Sequence, residues 1–518
     1  MKHTKHILSL VLCLVMLLGV GLVPAYAGLT AGVPNQGRVF TYKKLSYQIS
    51  TKYSSDVLTC LGPAFYISKD GKIDQYIIKD MVVPNKVGKL RVSYIDYDTS
   101  DSTAKVRNAL QSLSIPDNVT KLSGFKKCKN LKTVTGGKNV RTLTDGTFAG
   151  TAYKTAAVKK NKYGAFYFNN TLVSCNGKIR TLVIKEGTTI MLPEALKHSK
   201  VESITFPKTL KEFGNGRDKD YDGLSAVWID SQNNMYTNLK EIKVSKDNPY
   251  YTAKDGVLYS KDMTKLIWYP RCKEDRVFTV PATVTWLGKN CFYNNSCLYS
   301  LKLPDNLKKI GPFALGGIKR LKALYFPPSI ESIDYAHGGL CETTKYIADA
   351  GSVGDAFMKK MLLASVFEKG DYLYCHPCET HSYQTVKGEA PTACSYGYSD
   401  YQQCTVCGMI EGFKQLAKTG LPKKAVTLAG GKGSIKVKVG AVAGATGFDV
   451  CYTKDGKTTL QSFVAALPDT QTISKLPAGT YKVKVRVSAV VDDWYGPTSY
   501  DDVIGYSAWT AAKTVKVK

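Results

Sequence analysis

The sequence predicts a mainly β protein: a stacked repeat solenoid, then a small cysteine-rich module, then a β-sandwich. Three observations predict it. A short apolar pattern closed by proline returns through the middle of the chain. Cysteine and histidine crowd residues 375–407. From residue 422 onward, strand-like runs alternate with Gly, Pro or Asp, the spacing of sandwich strands.

The chain has 518 residues, room for about three or four domains. Hydrophobic residues at 44% and charged residues at 22% match globular chains and exclude long disorder. The 33 tyrosines suit half-buried strand surfaces, since the ring is apolar and the tip polar.

The first residues, MKHTKH, are basic, and ILSLVLCLVMLLGVGLV is apolar. Ala25-Tyr26-Ala27 then supplies an A-x-A site. Residues 1–27 therefore read as a secretory signal peptide cleaved after Ala27, with an uncleaved anchor as the alternative. No membrane span is expected after cleavage, and the mature chain is expected to be secreted or held non-covalently at the cell surface. The formal charge is +29, and losing Lys2 and Lys5 leaves +27. Outside the cell such a charge favours anionic cell-wall polymers, acidic glycans or acidic proteins rather than nucleic acid. Without Cys13 the chain keeps thirteen cysteines, an odd number, so at least one is a thiol, a metal ligand or intermolecular.

Residues 28–80 carry alternating runs such as VFTYKKLSYQIS and are expected to cap the open end of the solenoid. The solenoid spans 81–350. LSIPDNVTKLSG (from Leu113), ITFPKTLKEFG (Ile204), FTVPATVTWLG (Phe278), LKLPDNLKKIG (Leu301) and LYFPPSIESID (Leu324) share one pattern: apolar-x-apolar-Pro-x-x-apolar-x-x-apolar. The first apolar pair alternates on a short strand with both residues inward. Proline ends that strand, because it cannot donate to a ladder. The next two apolar residues turn the chain back. One repeat cannot bury its own face, so neighbours must stack into parallel ribbons. Cys128 and Cys297 fall inside the pattern and read as small buried hydrophobes. Residues 247–270, DNPYYTAKDGVLYSKDMTKLIWYP, break the period. Val257, Tyr259, Leu266 and Trp268 alternate about turn residues, as in an added hairpin. Residues 212–238 are read as an insertion.

These segments, above all residues 247–270, resemble the BspA-like leucine-rich repeats of bacterial surface proteins. The resemblance covers about residues 81–350. It implies a non-enzymatic protein that binds matrix proteins, glycans or cells.

In residues 371–412 the candidate ligands are Cys375, Cys378, His381, Cys394, Cys404 and Cys407. Tetrahedral zinc takes four, and two sets compete: Cys375, Cys378, Cys404 and Cys407, or His381, Cys394, Cys404 and Cys407. The segment from Thr380 to Gly408 resembles a small Cys/His, zinc-ribbon-like module of bacterial surface proteins, and that resemblance favours the second set and one structural zinc. The alternative is disulfides, for instance Cys375–Cys378 with Cys394 joined to Cys404 or Cys407. Residues 413–421 read as a linker. In 422–518, LPAGTYKVKVRV resembles the E–F corner of a fibronectin type III domain. The resemblance implies an immunoglobulin-like β-sandwich with Leu476 in the core and Tyr481 as the corner tyrosine.

The full expectation is thus a leucine-rich repeat solenoid, a small Cys-rich module and an immunoglobulin-like sandwich, acting as a monomer. H-E-x-x-H, G-x-S-x-G and phosphate-loop motifs are absent. Four histidines follow the leader: His198, His337, His376 and His381. A non-catalytic binding or adhesion protein with an extracellular protein or glycan as partner is expected. A structural cell-wall or matrix scaffold is the alternative, and a secreted carbohydrate-active enzyme a more remote one.

Overall fold

The computed structural model describes residues 39–49, 57–63, 65–67, 73–97, 104–175, 179–197, 199–213, 238–295, 297–334, 340–341, 344–363, 374–422, 425–492 and 503–518. The leader, most of the 212–238 insertion, His198 and His337 lie outside them. The chain forms two compact units that divide after Ser174.

In the first unit, Val39–Tyr42, Leu45–Ile49 and Val57–Pro63 follow one another antiparallel. Val57–Pro63 then lies parallel to Leu90–Asp96, which pairs with Lys121–Ser123. A second parallel ladder joins Asp80–Val82, Ser112–Ile115 and Thr133–Gly136. A helix, Ala152–Lys160, starts at the N-cap Thr151, whose hydroxyl accepts from Lys154 N–H.

The second unit repeats the two-ladder plan. Thr181–Val183, Ser203–Phe206 and Glu241–Val244 are parallel. So are Lys265–Trp268, Trp286–Leu287, Lys309–Ile310 and Ser332–Ile333. Val277–Thr279 pairs with Ser300–Lys302, and Ala323–Phe326 with Lys345–Ala348.

The repeat pattern explains both ladders. Leu301, Leu303, Leu307 and Ile310 are all buried, as are Ile204, Phe206, Leu210 and Phe213. The proline carbonyl accepts the N–H three residues on: Val284 N–H donates to Pro281 at 2.9 Å, Leu307 N–H to Pro304 at 3.1 Å and Ile330 N–H to Pro327 at 3.2 Å. Proline therefore stops one strand and anchors the turn into the next. Cys128 and Cys297 are wholly buried. In the hairpin, Asp255 and Gly256 take φ values of 52° and 77°, the left-handed pair of a two-residue turn. Lys254 then faces Val257, and Leu258 faces Trp268.

A helix that the sequence analysis did not predict, Val353–Leu363, follows the last repeat. Ser352 Oγ accepts from Asp355 N–H at 3.1 Å, and Asp355 accepts from Gly351 N–H at 2.8 Å. This is a capping arrangement. Met358 joins the core of the last repeats beside Phe326 and Tyr346, closing the stack with apolar surface. Among the described residues no helix is long and apolar enough to cross a membrane.

Residues 425–518 form two antiparallel sheets. One holds Val426–Gly431, Ser434–Val439 and Asp469–Ile473. The other orders Lys457–Val464, Gly447–Lys454, Gly479–Asp492 and Val503–Tyr506, with Lys513–Val517 also on Gly479–Asp492. Ile435, Val437, Phe448, Val450, Val483 and Val485 share one buried core.

Candidate functional site

The Cys/His module is built on short antiparallel strands. Tyr383–Val386 pairs with Tyr401–Cys404, which pairs with Ile410–Glu411. That register sets Tyr383 opposite Cys404, and Thr405 N–H donates to Ser382 carbonyl at 2.8 Å. His381 is thereby brought to the Cys404–Cys407 turn. The turn closes when Gly408 N–H donates to Cys404 carbonyl at 2.9 Å. Gly408 has φ +75°, and a Cβ there would stand 2.2 Å from Lys345 Cδ. The left-handed φ calls for glycine at the turn, and the Lys345 side chain packs directly over it.

Cys378, His381, Cys404 and Cys407 bring four ligand atoms within 4.8 Å of one another. His381 Nδ1 is 3.3 Å from the sulfurs of both Cys378 and Cys407, and Cys378 Sγ is 3.5 Å from Cys404 Sγ. A zinc–sulfur bond of about 2.3 Å in a tetrahedron separates sulfurs by roughly 3.8 Å. The donor set and its span fit an ion of that kind. Burial opposes ionisation of Cys404, but N–H groups of Cys407 and Val406, together with His381, hold its thiol down at about 5. Hydrogen bonding to Cys407, then burial, push the Cys378 thiol up to about 11. One sulfur is thus ready as a thiolate, and its neighbour gives up its proton only with difficulty.

Three of the four preferred ligands, His381, Cys404 and Cys407, are brought together. Cys394 is not among them. It is fully buried and packs in the sandwich core, a different cluster from Cys404 and Cys407. Cys378 stands in its place. The same placement sets aside the pairing of Cys394 with Cys404 or Cys407. Tyr374–Cys375 extends the last repeat ladder beside Lys345–Ala348, and the Cys375 side chain lies outside the described residues. The C-x-x-H spacing of Cys378 and His381, a counterpart to C-x-x-C at Cys404 and Cys407, was the available signal. Tyr481 is buried and its hydroxyl donates to Pro477 carbonyl at 2.9 Å, while Leu476 packs against the same core.

The module and sandwich lie back along one flank of the repeats. Residues that precede or begin the first-ladder strands stack there: Lys240 N–H donates to Glu202 carbonyl, Tyr299 N–H to Arg276 carbonyl, Lys322 N–H to Tyr299 carbonyl and Lys345 N–H to Lys322 carbonyl. Lys345 Nζ donates to Val406 carbonyl at 2.9 Å. The Tyr299 ring packs 4.8 Å from Tyr398, and Arg276 N–H and Nε reach Gln415 and Tyr396. Glu274 pairs with both Lys240 and Lys418. Arg180 meets Glu202, Tyr506 and Asp449. Asp449 is 2% exposed and also takes two hydrogen bonds from Arg486, at 3.0 and 2.9 Å. Residues 413–421, expected to be a linker, are instead bound: Gln415–Leu416 pairs with Gly397–Tyr398, and Lys418 grips Glu274. Contacts between segments so distant in sequence leave no local pattern to read.

The second ladder carries a different set of contacts. Lys265, Trp286, Lys309 and Ser332 are in register on adjacent strands. The Lys265 and Lys309 ammonium groups lie 3.7 and 4.7 Å from the Trp286 ring centre. Lys308 and Glu331 pair across an exposed surface at 2.9 Å.

The family model of the BspA type leucine rich repeat region matches residues 103–217 and 269–344, in six copies. No curated protein matches the chain. Among solved structures, a leucine-rich repeat protein from Eubacterium ventriosum is 19% identical, covering 60% of this chain and 78% of that one, with TM-score 0.32. The pneumococcal vaccine antigen PcpA is 18% identical over 67% of this chain and all of that one, with TM-score 0.30. A leucine rich cell surface protein from Faecalibacterium prausnitzii is 17% identical over 62% and 94%, with TM-score 0.29. The BspA-type match falls on the proline-closed repeats of this chain.

Proposed function

We propose that the chain is a secreted or surface-associated, non-catalytic binding protein. Its contact surface is the second repeat ladder, about Trp286, Lys308, Lys309 and Ser332. The observation that carries this reading is the division of labour between ladders: the first flank is taken by the chain's own C-terminal half, while the second presents lysine, tryptophan and hydroxyl at a fixed strand spacing. A charge of +27 after the leader favours an anionic glycan, cell-wall polymer or acidic protein. The C-terminal sheets, with their tyrosine corner, are read as a fibronectin type III-like domain that holds the flank rather than the ligand.

Cys378, His381, Cys404 and Cys407 are proposed to hold one structural zinc. Four protein ligands leave no open position for catalysis, and soft thiolates with one imidazole suit zinc. An extracellular-matrix and glycan array probed with the full chain tests the binding reading. Retention on a subset of extracellular ligands at physiological salt supports it. Uniform loss from every anionic surface in moderate salt would reduce it to charge alone.

A further inference from the structure

We propose that Cys272 and Cys297 are a disulfide-forming pair that locks two successive repeats. Both carry thiols and are buried, at 2% and 0% exposure, and the two side chains form a cluster of their own. The backbone around them is already clasped. The Asn295 amide donates to the carbonyls of Pro270, Arg271 and Lys273 at 3.3, 2.9 and 3.4 Å. Its oxygen accepts from Cys297 and Leu298 N–H at 3.0 Å each. One side chain thus holds residues 270–273 against 297–298 before any covalent bond exists. A disulfide needs its two Cα atoms within about 7 Å, and the clasp holds the two segments together beside the pair.

The step is thiol–disulfide exchange. The thiolate of one cysteine attacks a disulfide-bonded oxidant and forms a mixed disulfide. The second thiolate displaces the oxidant's thiol and forms the Cys272–Cys297 bond. Two protons leave the protein, and the oxidant is reduced to two thiols. Burial places this exchange during folding, before the repeats close over the pair.

The bond would lie beneath the docked module. Arg276 Nη1 donates to Cys297 carbonyl at 3.4 Å, and the same arginine holds Tyr396 and Gln415. The proposal draws on the secretory reading only for the origin of the oxidant, and the test supplies one. The full chain is folded in glutathione disulfide, denatured, alkylated without reductant, digested and read by mass spectrometry. The expected result is one linked peptide pair joining Cys272 to Cys297, two hydrogens lighter than the separate thiol peptides and split by reductant. Cys272→Ser should leave Cys297 fully alkylated, and reduction of the wild-type pair should lower the melting temperature. Alkyl label on both cysteines of the wild type, or a link from either to another cysteine, overturns the proposal. Neither outcome bears on export, which is read separately from the secreted fraction.

Discussion

The two parallel ladders of residues 179–350 come from the same repeat and have opposite fates. On the first, Arg180, Lys240, Arg276 and Lys345 are each bonded to an oxygen of the module or sandwich. On the second, Lys265, Trp286 and Lys309 contact one another. A repeat therefore fixes where side chains point and leaves open what they meet. The first ladder's charges hold the protein to itself, while Lys308 and Lys309 of the second pair with Glu331 and Asp334 and are proposed to meet the ligand.

The strongest way to disturb the covered side is through the proposed metal centre. Cys404→Ser should take zinc from one per chain to none by elemental analysis. The Cys404–Cys407 turn, whose Val406 carbonyl receives Lys345, should then become protease-sensitive. Structural zinc in small modules contributes on the order of 10 kcal/mol to their folding, so no other change here should be larger. Acid should act in the same direction. The Cys404 thiol sits at about 5, below its usual range, so it stays a thiolate above that pH and protons displace the metal below it. Zinc retention measured against pH should therefore fall steeply near or below pH 5.

Asp449→Ala should come next. It leaves Arg486 without its carboxylate and Arg180 with Glu202 alone, a loss of about 3 kcal/mol in denaturant unfolding. Leu287→Ala, in the core that both ladders share, should cost a comparable 2–5 kcal/mol but weaken both sides equally. Glu331→Ala removes only the exposed partner of Lys308 and should cost at most about 1 kcal/mol. Equal effects of Asp449→Ala and Glu331→Ala would erase the distinction between covered and open ladders.

The comparison also marks what the sequence could disclose. Leu301, Leu303, Leu307 and Ile310 were readable because strand alternation and a proline stop are local rules. The hairpin was readable because Asp255-Gly256 demands a left-handed turn. The helix Val353–Leu363 carries its cap in Ser352 and Asp355, but it lies outside the repeat period, so the repeat pattern does not predict it. The resemblance of Thr380–Gly408 to a small Cys/His module, through its Thr-x-Cys step, implies Cys394 as a ligand. Its true neighbours are sandwich residues tens of positions later. Docking of Arg180 on Asp449 and Tyr506 joins residues hundreds of positions apart. No local pattern encodes that.

The central claim is that ligand meets the second ladder and not the first flank. It is tested most directly by comparing a Lys308→Glu, Lys309→Glu double variant with Arg276→Ala on the array ligands that the wild type retains. The account predicts that the ladder variant loses at least tenfold in affinity while Arg276→Ala binds as the wild type does. A ladder variant that binds with wild-type affinity would contradict it.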